Sequence, residues 1–290
     1  MTPIVGAVTG SPSSRRPFRG ARGWLYAVLS LGLVGFAGPF VWMVASAFKP
    51  ETELRRVPPT WLPDSVTLDN FRAIFVDLDF PTYFTNSVIV AAGVTLGNLA
   101  LCSMLGYALA KIDFPGRRLL FALVVGTLMV PSMVTFVPQF VLVSQFGLVN
   151  TYPGLVLPLL ALAGPLGVFL MRQYMSELPD ELIDAARIDG AGEIRIFLRI
   201  VLPLSRPALA TLTIVTFLGT WNNFLIPLVM AQTEDKYTMP VALALYSVGQ
   251  NSTQFGLLMA GAVVVVVPVL VLFVALQRYF VQGIAMTGIK

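Results

Sequence analysis

The sequence predicts an all-α integral membrane protein with six transmembrane helices. Three observations carry the prediction. Of 290 residues, 56% are hydrophobic and only 12% charged, and the mean hydropathy is +0.80, too little polar surface for a soluble domain of this size. Apolar runs recur at lengths that suit about 30 Å of hydrocarbon, which a helix crosses in roughly 20 residues. Those runs contain no Asp, Glu, Lys or Arg.

In chain order, residues 1–23 are rich in Ser, Pro, Gly and Arg and read as a disordered cytoplasmic leader. The first span is expected over Trp24–Phe48. A twin arginine in Ser14–Gly20 and Ala45-Ser46-Ala47 together resemble a cleaved export signal. The run between them is longer than the roughly 7–15 residues of such a signal, which favours an uncleaved span. The next spans are expected over Phe84–Ala110, Leu119–Val143 and Pro153–Met171, joined by short turns. A longer polar segment, 176–206, precedes the fifth span, Pro207–Met230, and the sixth follows over Gly256–Ala275. The membrane domain thus runs over 24–281, with a short cytoplasmic tail at 282–290.

With the N-terminus inside, fourteen basic residues fall in cytoplasmic segments, among them Lys111, Arg117, Arg118, Arg172, Arg187, Arg195 and Arg199. Five fall outside: Lys49, Arg55, Arg56, Arg72 and Lys236. This asymmetry predicts that both termini are cytoplasmic. The net charge of +4 is accounted for by the ends of the spans, and nucleic acid is not an expected partner.

Several chemistries are excluded or weakened. There is no His, and the single Cys102 lies within an apolar run, which removes Cys/His metal sites and Ser–His or Cys–His catalysis. No metal or cofactor is expected on this chain. The spans hold no ionisable group to relay protons, although a sodium-coupled carrier using backbone and hydroxyl oxygens stays open. No Gly-Lys-Ser/Thr phosphate loop occurs, so ATP, if it drives this protein, is hydrolysed by another subunit.

The polar segment carries the densest information. Pro179, Asp180 and Glu181 suit a helix start, and Asp184 and Arg187 can pair at i,i+3. Ala185 and Ala186 offer short side chains to an approaching surface. Gly190 and Gly192 break the helix beside Asp189, and a second helix is expected from Glu193 with Ile194, Phe197, Leu198 and Val201 at helical spacing. Pro203 and Pro207 bracket the start of the fifth span. On physical grounds alone, the segment is either a docking element or an amphipathic helix lying on the membrane surface.

The run from Leu178 through Ala191, followed by Phe197, Leu202-Pro203 and Pro207, resembles the EAA loop of binding-protein-dependent ATP-binding-cassette importer permeases. Further stretches resemble the carbohydrate branch of that family: Ala45 to Lys49, Pro58 to Pro63, Leu68 to Phe71, Asn86-Ser87, Gly106 to Lys111, Trp221 to Phe224 and Gln277 to Phe280. Asp184 stands where the family usually has Glu, and Gly192 where Ser is common. The resemblance implies that 176–206 forms a cytoplasmic coupling helix between spans four and five. Asp184, Ala185, Ala186, Asp189, Gly190, Phe197 and Pro203 would then meet the ATPase. It implies a bacterial inner-membrane location and a heterodimer with a sister permease subunit. It further implies two copies of a cytoplasmic ATPase using ATP and Mg, and an extracytoplasmic solute-binding protein that docks on the outer segments 49–83 and 231–255. The implied cargo is a sugar or related polyhydroxy solute, with a sugar phosphate or polyol as the alternative.

Polar and aromatic groups within spans are the candidates for the solute path: Gln139, Trp221, Asn222 and Asn223, with Asn86 and Asn98 beside them. Asn222 lies roughly 22 Å from the inner start of span five, at about 1.5 Å per residue, somewhat past the midplane. Asn amides match hydroxyl-rich ligands and Trp221 could stack on a sugar ring. Hydrogen bonding between helices is the other role open to each of them.

Overall fold

A computed structural model describes residues 19–248 and 254–287. The expected leader therefore lies outside the described residues up to residue 18, and the last three tail residues do so as well. Helix α1 (Arg19–Ala47) leads to a connecting segment of short helical turns, then α2 (Phe80–Lys111), α3 (Arg117–Thr127), α4 (Ser132–Gln145) and α5 (Tyr152–Ser176). The polar segment forms α6 (Asp180–Ile188) and α7 (Glu193–Leu204), the latter containing a π-helical turn over Phe197–Val201. The chain continues through α8 (Arg206–Trp221), α9 (Leu225–Met230), α10 (Met239–Ser247) and α11 (Phe255–Thr287). Helix α11 runs on to Thr287, across the expected start of the tail at 282.

Four helical stretches are long and apolar enough to cross a membrane: Gly23–Ala47, Phe80–Lys111, Tyr152–Ser176 and Phe255–Gln277. Two bent pairs bring the total to six if each counts as one span. The expected third span, Leu119–Val143, is one of them: α3 and α4 meet at 99°. Pro131 explains the break. It has no N–H to continue α3, and its extended backbone (φ −60°, ψ 129°) starts α4 instead.

The second bend, 78° between α7 and α8, centres on Ser205. The buried Ser205 hydroxyl donates to Val201 O at 2.8 Å, and Pro207 cannot supply an N–H across the bend. The expected fifth span is also shorter than Pro207–Met230. It stops at Trp221, because Asn222 Nδ2 donates back to Leu218 O at 3.1 Å and Asn223 Oδ1 accepts from Ile226 N at 3.1 Å, capping α9. Side-chain amides that satisfy the backbone locally end helices in this way.

The centre is the pair α2 and α5, with α8 laid against both. Glycines set how closely they approach. A Cβ on Gly106 would lie 2.7 Å from Met171 Cβ, and one on Gly167 would lie 2.7 Å from Cys102 Sγ. Inside this interface Asn98 Nδ2 donates to Thr216 Oγ1 at 2.7 Å, while its Oδ1 faces Cys102 Sγ at 2.7 Å. Cys102 is buried and also reaches Gly164 O at 3.3 Å. Helix α1 differs: its membrane-length window is wholly uncovered, and it packs along α11. A helix apolar on all sides and left open is suited to lipid or a partner helix.

The segment between α1 and α2 is held by a buried ionic group. Lys49 is 2% exposed and Glu53 3%. Lys49 Nζ donates to Thr60 Oγ1 at 3.0 Å and to Thr60 O, and Glu53 accepts from Thr60 Oγ1 at 2.6 Å and from Asp64 N at 3.1 Å. Those hydrogen bonds, led by Thr60, hold the Glu53 carboxyl below its usual range. Trp61 is left 72% exposed at the rim.

Candidate functional site

Two places in the fold hold the residues singled out above: the α6–α7 element and the break after α8. The first is built on a helix with two distinct sides. Pro179 is the extended residue before α6, and Asp180 and Glu181 fill its first turn, where carboxylates complement the positive end of the helix. Ile183 and Ala186 are buried against the core, whereas Leu182, Asp184, Ala185, Ile188 and Asp189 are exposed. The two alanines grouped in the sequence are therefore divided. Ala185 belongs to the open face and Ala186 to the packed one.

Gly190 ends α6 with φ +80°. Ala191 N donates to Ala186 O at 2.9 Å and Gly190 N to Arg187 O at 3.0 Å, the pair of reversed bonds that closes a helix through a left-handed residue. Gly192 is extended, and α7 starts at Glu193. On α7, Ile196 and Val201 are fully buried, and Phe197 is half-buried against the Tyr107 ring at 5.4 Å. Ile194 and Leu198, at helical spacing with Phe197 and Val201 in the sequence, are exposed. With Gly190, Gly192, Glu193, Arg195 and Arg199 they line an open cleft of about 780 Å³. Pro203 is half-buried, two residues before Ser205, where the chain bends into α8.

Two polar ties join this element to the end of α2. Lys111 Nζ, its side chain only 4% exposed, donates to Leu178 O and to Asp180 Oδ1, both at 2.5 Å. The second is a chain: Tyr107 Oη donates to Glu193 Oε2 at 2.5 Å, and Arg187 Nε donates to Glu193 Oε1 at 2.9 Å. The same Arg187 pairs with Asp184 at 3.1 Å, the i,i+3 pair that the sequence predicts. Tyr107 first and Arg187 second hold the Glu193 carboxyl below its usual range, and Lys111 does the same for Asp180. Neither tie was visible as a pair in the sequence. The available signal was Tyr107 and Lys111 one turn apart at the end of a span, facing one way.

At the second place the candidate solute residues take different roles. Trp221 is buried, its Nε1 donates to Val265 O at 3.0 Å, and its ring stacks on Phe217 and meets Phe84 edge-on. Asn222 is exposed at the helix break. Asn223 lines a groove of about 450 Å³ between α5 and α8, together with Thr216, Gly219, Thr220 and Gly167. Gln139 lies apart on α4, with a buried Oε1 that has no hydrogen-bond partner. Asn86 is committed to structure: its Nδ2 donates to Asp235 O and Tyr237 O, and its Oδ1 accepts from Tyr152. Among the described residues no group of three His, Cys, Asp or Glu is placed to hold a metal.

Comparison with known proteins supplies the context for these geometries. The profile of the family described as "Binding-protein-dependent transport system inner membrane component" matches residues 102–286. The arabinooligosaccharides transport system permease protein AraQ of Halalkalibacterium halodurans is 43% identical over 257 residues, covering 87% of this chain and 90% of that protein. The diacetylchitobiose uptake system permease protein NgcG of Streptomyces coelicolor is 37% identical, covering 87% and 84%. Among solved structures, a bacterial ABC transporter involved in the import of the acidic polysaccharide alginate superposes with a TM-score of 0.80 at 22% identity. That match covers 91% of this chain and all of the other.

Proposed function

The chain belongs to the family of binding-protein-dependent transport system inner membrane components, and from that premise we propose that it is a permease subunit of an ATP-driven importer, forming half of the path for a sugar or related polyhydroxy solute. In this reading six spans cross the bacterial inner membrane with both termini in the cytoplasm. A sister permease supplies the other half of the path, and an extracytoplasmic solute-binding protein docks on the outer segment that carries Trp61. Two ATPase subunits bind and hydrolyse ATP with Mg. The chain itself moves solute by alternating between conformations of different affinity and performs no chemistry on it.

One observation carries the coupling assignment: α6 is open on the side of Asp184, Ala185 and Asp189 and tied on the other to the end of α2. A push on the open face is delivered through Lys111–Asp180 and Tyr107–Glu193 into a span that forms the centre of the fold. The groove at Asn223, beside the broken α8–α9 helix, is the candidate solute surface. Trp221 supports it from behind, and Gln139 and Asn222 are assigned to the path by their depth in the chain. Broken helices at membrane depth belong where backbone lines a cavity.

Proteoliposome uptake tests the reading. Oligosaccharide should accumulate only when this chain is reconstituted with its sister subunit, ATPase and binding protein, and only with ATP. Accumulation by this chain alone without ATP would overturn it.

A further inference from the structure

Helix α11 is held at its first turn by the segment between α1 and α2, and two and a half turns later it holds Trp221. The first contact is a clasp of three residues. Asn70 Nδ2 donates to Ala47 O at 2.9 Å and to Lys49 O at 2.8 Å. It thereby satisfies a carbonyl that the C-terminus of α1 leaves without an intrahelical partner. Gly256 N, one of the orphan donors at the start of α11, donates to Glu51 Oε2 at 2.9 Å. Gly256 is buried against the Asn70 amide, and a Cβ there would collide with that side chain. Ala47, Phe71, Ile74, Leu257 and Ala260 close over the clasp as one apolar cluster.

The clasp is continuous with the exposed rim. Lys49, whose carbonyl Asn70 holds, donates through Nζ to Thr60 Oγ1 at 3.0 Å, and Thr60 precedes the exposed Trp61. From Gly256, α11 runs to Val265 without a proline, about 14 Å at about 1.5 Å per residue. Val265 O then accepts from Trp221 Nε1 at 3.0 Å. Trp221 is the last residue of α8, and the break that follows carries Asn222 and Asn223, the latter on the groove between α5 and α8. One helix therefore connects the segment that bears Trp61 to the residue behind the groove. Both ends grip the backbone of α11, so a displacement at either is passed on by the helix as a body.

We propose that Glu51, Asn70 and Gly256 are positioning residues that link docking of the solute-binding protein to the solute groove, with α11 as the lever and Trp221 as its far contact. The inference rests on the reading that this protein docks on the segment carrying Trp61, and the test separates the two.

The test is ATP hydrolysis by the assembled importer in proteoliposomes, per assembled complex, with and without saturating solute-binding protein loaded with oligosaccharide. In the wild type the binding protein should stimulate hydrolysis. Asn70→Ala and Trp221→Phe should each lower that stimulation about fivefold, the low end for coupling between two sites. Independent sites this far apart give additive effects, about 25-fold in the double variant, whereas a shared lever leaves the double variant at about fivefold. Glu51→Gln keeps an acceptor for Gly256 N and should retain the stimulation, which Glu51→Ala should lose. If Asn70→Ala does not assemble, the cycle of Glu51→Ala with Trp221→Phe gives the same reading. Additive loss in the double variant, undiminished stimulation in the single variants, or a Glu51→Gln defect as large as that of Glu51→Ala would overturn the lever. A wild type that the binding protein does not stimulate would instead overturn the docking reading, and the lever with it.

Discussion

Tyr107 and Glu193, 86 residues apart, share a 2.5 Å hydrogen bond that ties the C-terminal end of α2 to the start of α7. Tyr107 is 4% exposed, whereas the Glu193 side chain is 42% exposed and also accepts from Arg187. The bond joins the element with the open face to the helix that packs the core. Its removal should separate the two.

Tyr107→Phe and Glu193→Gln should each lower solute moved per ATP hydrolysed, with the subunit still in the membrane. A double-mutant cycle on stability should give a coupling of about 1 kcal/mol, less than a fully buried charged bond because solvent reaches Glu193. Additive effects in the cycle, with uptake per ATP unchanged, would remove the tie from the mechanism.

The same pair predicts a pH dependence. The Glu193 carboxyl is held below its usual range in the folded state. Its stabilisation is therefore complete above the unfolded value of about 4.3 and is lost as pH falls through the lower folded value. The stability gap between wild type and Glu193→Gln should be constant from pH 8 to about 5 and shrink below about 4, read by thermal unfolding in detergent. A gap that widened on acidification would contradict the assignment.

Gly190 tests the turn itself. At φ +80° a Cβ meets no neighbour, so only backbone strain opposes substitution. Gly190→Val should cost about 1–2 kcal/mol locally and abolish ATP-driven uptake, whereas Gly190→Asn, which tolerates the left-handed region, should keep most of it. Asp184→Lys should abolish uptake by reversing the charge on the open face, without loss of membrane insertion. Normal uptake by both Gly190→Val and Asp184→Lys would remove the segment from coupling.

Two glycines on the central helices should respond oppositely. Gly106→Val drives side-chain atoms into Met171 and the Arg172 backbone, which lies 2.9 Å from the added Cβ, so about 1–3 kcal/mol or more of overpacking should reduce folded subunit. Gly164→Ala meets open space and should be neutral or slightly stabilising through helix propensity. Fluorescence-detected size exclusion of the two variants reads the difference.

The helical membrane class was legible because uncharged runs of membrane length have few alternatives. Where the structure departs, local polar chemistry outweighed hydropathy: Pro131 split one expected span, and the amides of Asn222 and Asn223 ended another. Both lie inside runs whose average apolarity hides them. The α6 turn was readable from Gly190 and Gly192 and the Asp184–Arg187 pair from its spacing. Sequence could not divide Ala185 from Ala186, since both are small and only packing distinguishes the faces. Nor could it join Tyr107 to Glu193, because a long-range pair follows from how α2 and α7 meet. Trp221 shows the same limit. Its indole suits a sugar ring, yet the neighbouring carbonyl of Val265 and the rings of Phe84 and Phe217 occupy it.

The central claim is that the open face of α6 meets the ATPase, and cysteine cross-linking tests it most directly. Cys102 is the only native cysteine and is buried, so background is low. In the assembled importer, Ala185→Cys should cross-link to the ATPase subunit through a short bifunctional thiol reagent, in a manner that changes with ATP, while Ala186→Cys should not. Cross-linking from neither position, with Ala185→Cys instead accessible to membrane-embedded thiol reagents, would contradict the account and leave α6 as a helix lying on the membrane surface.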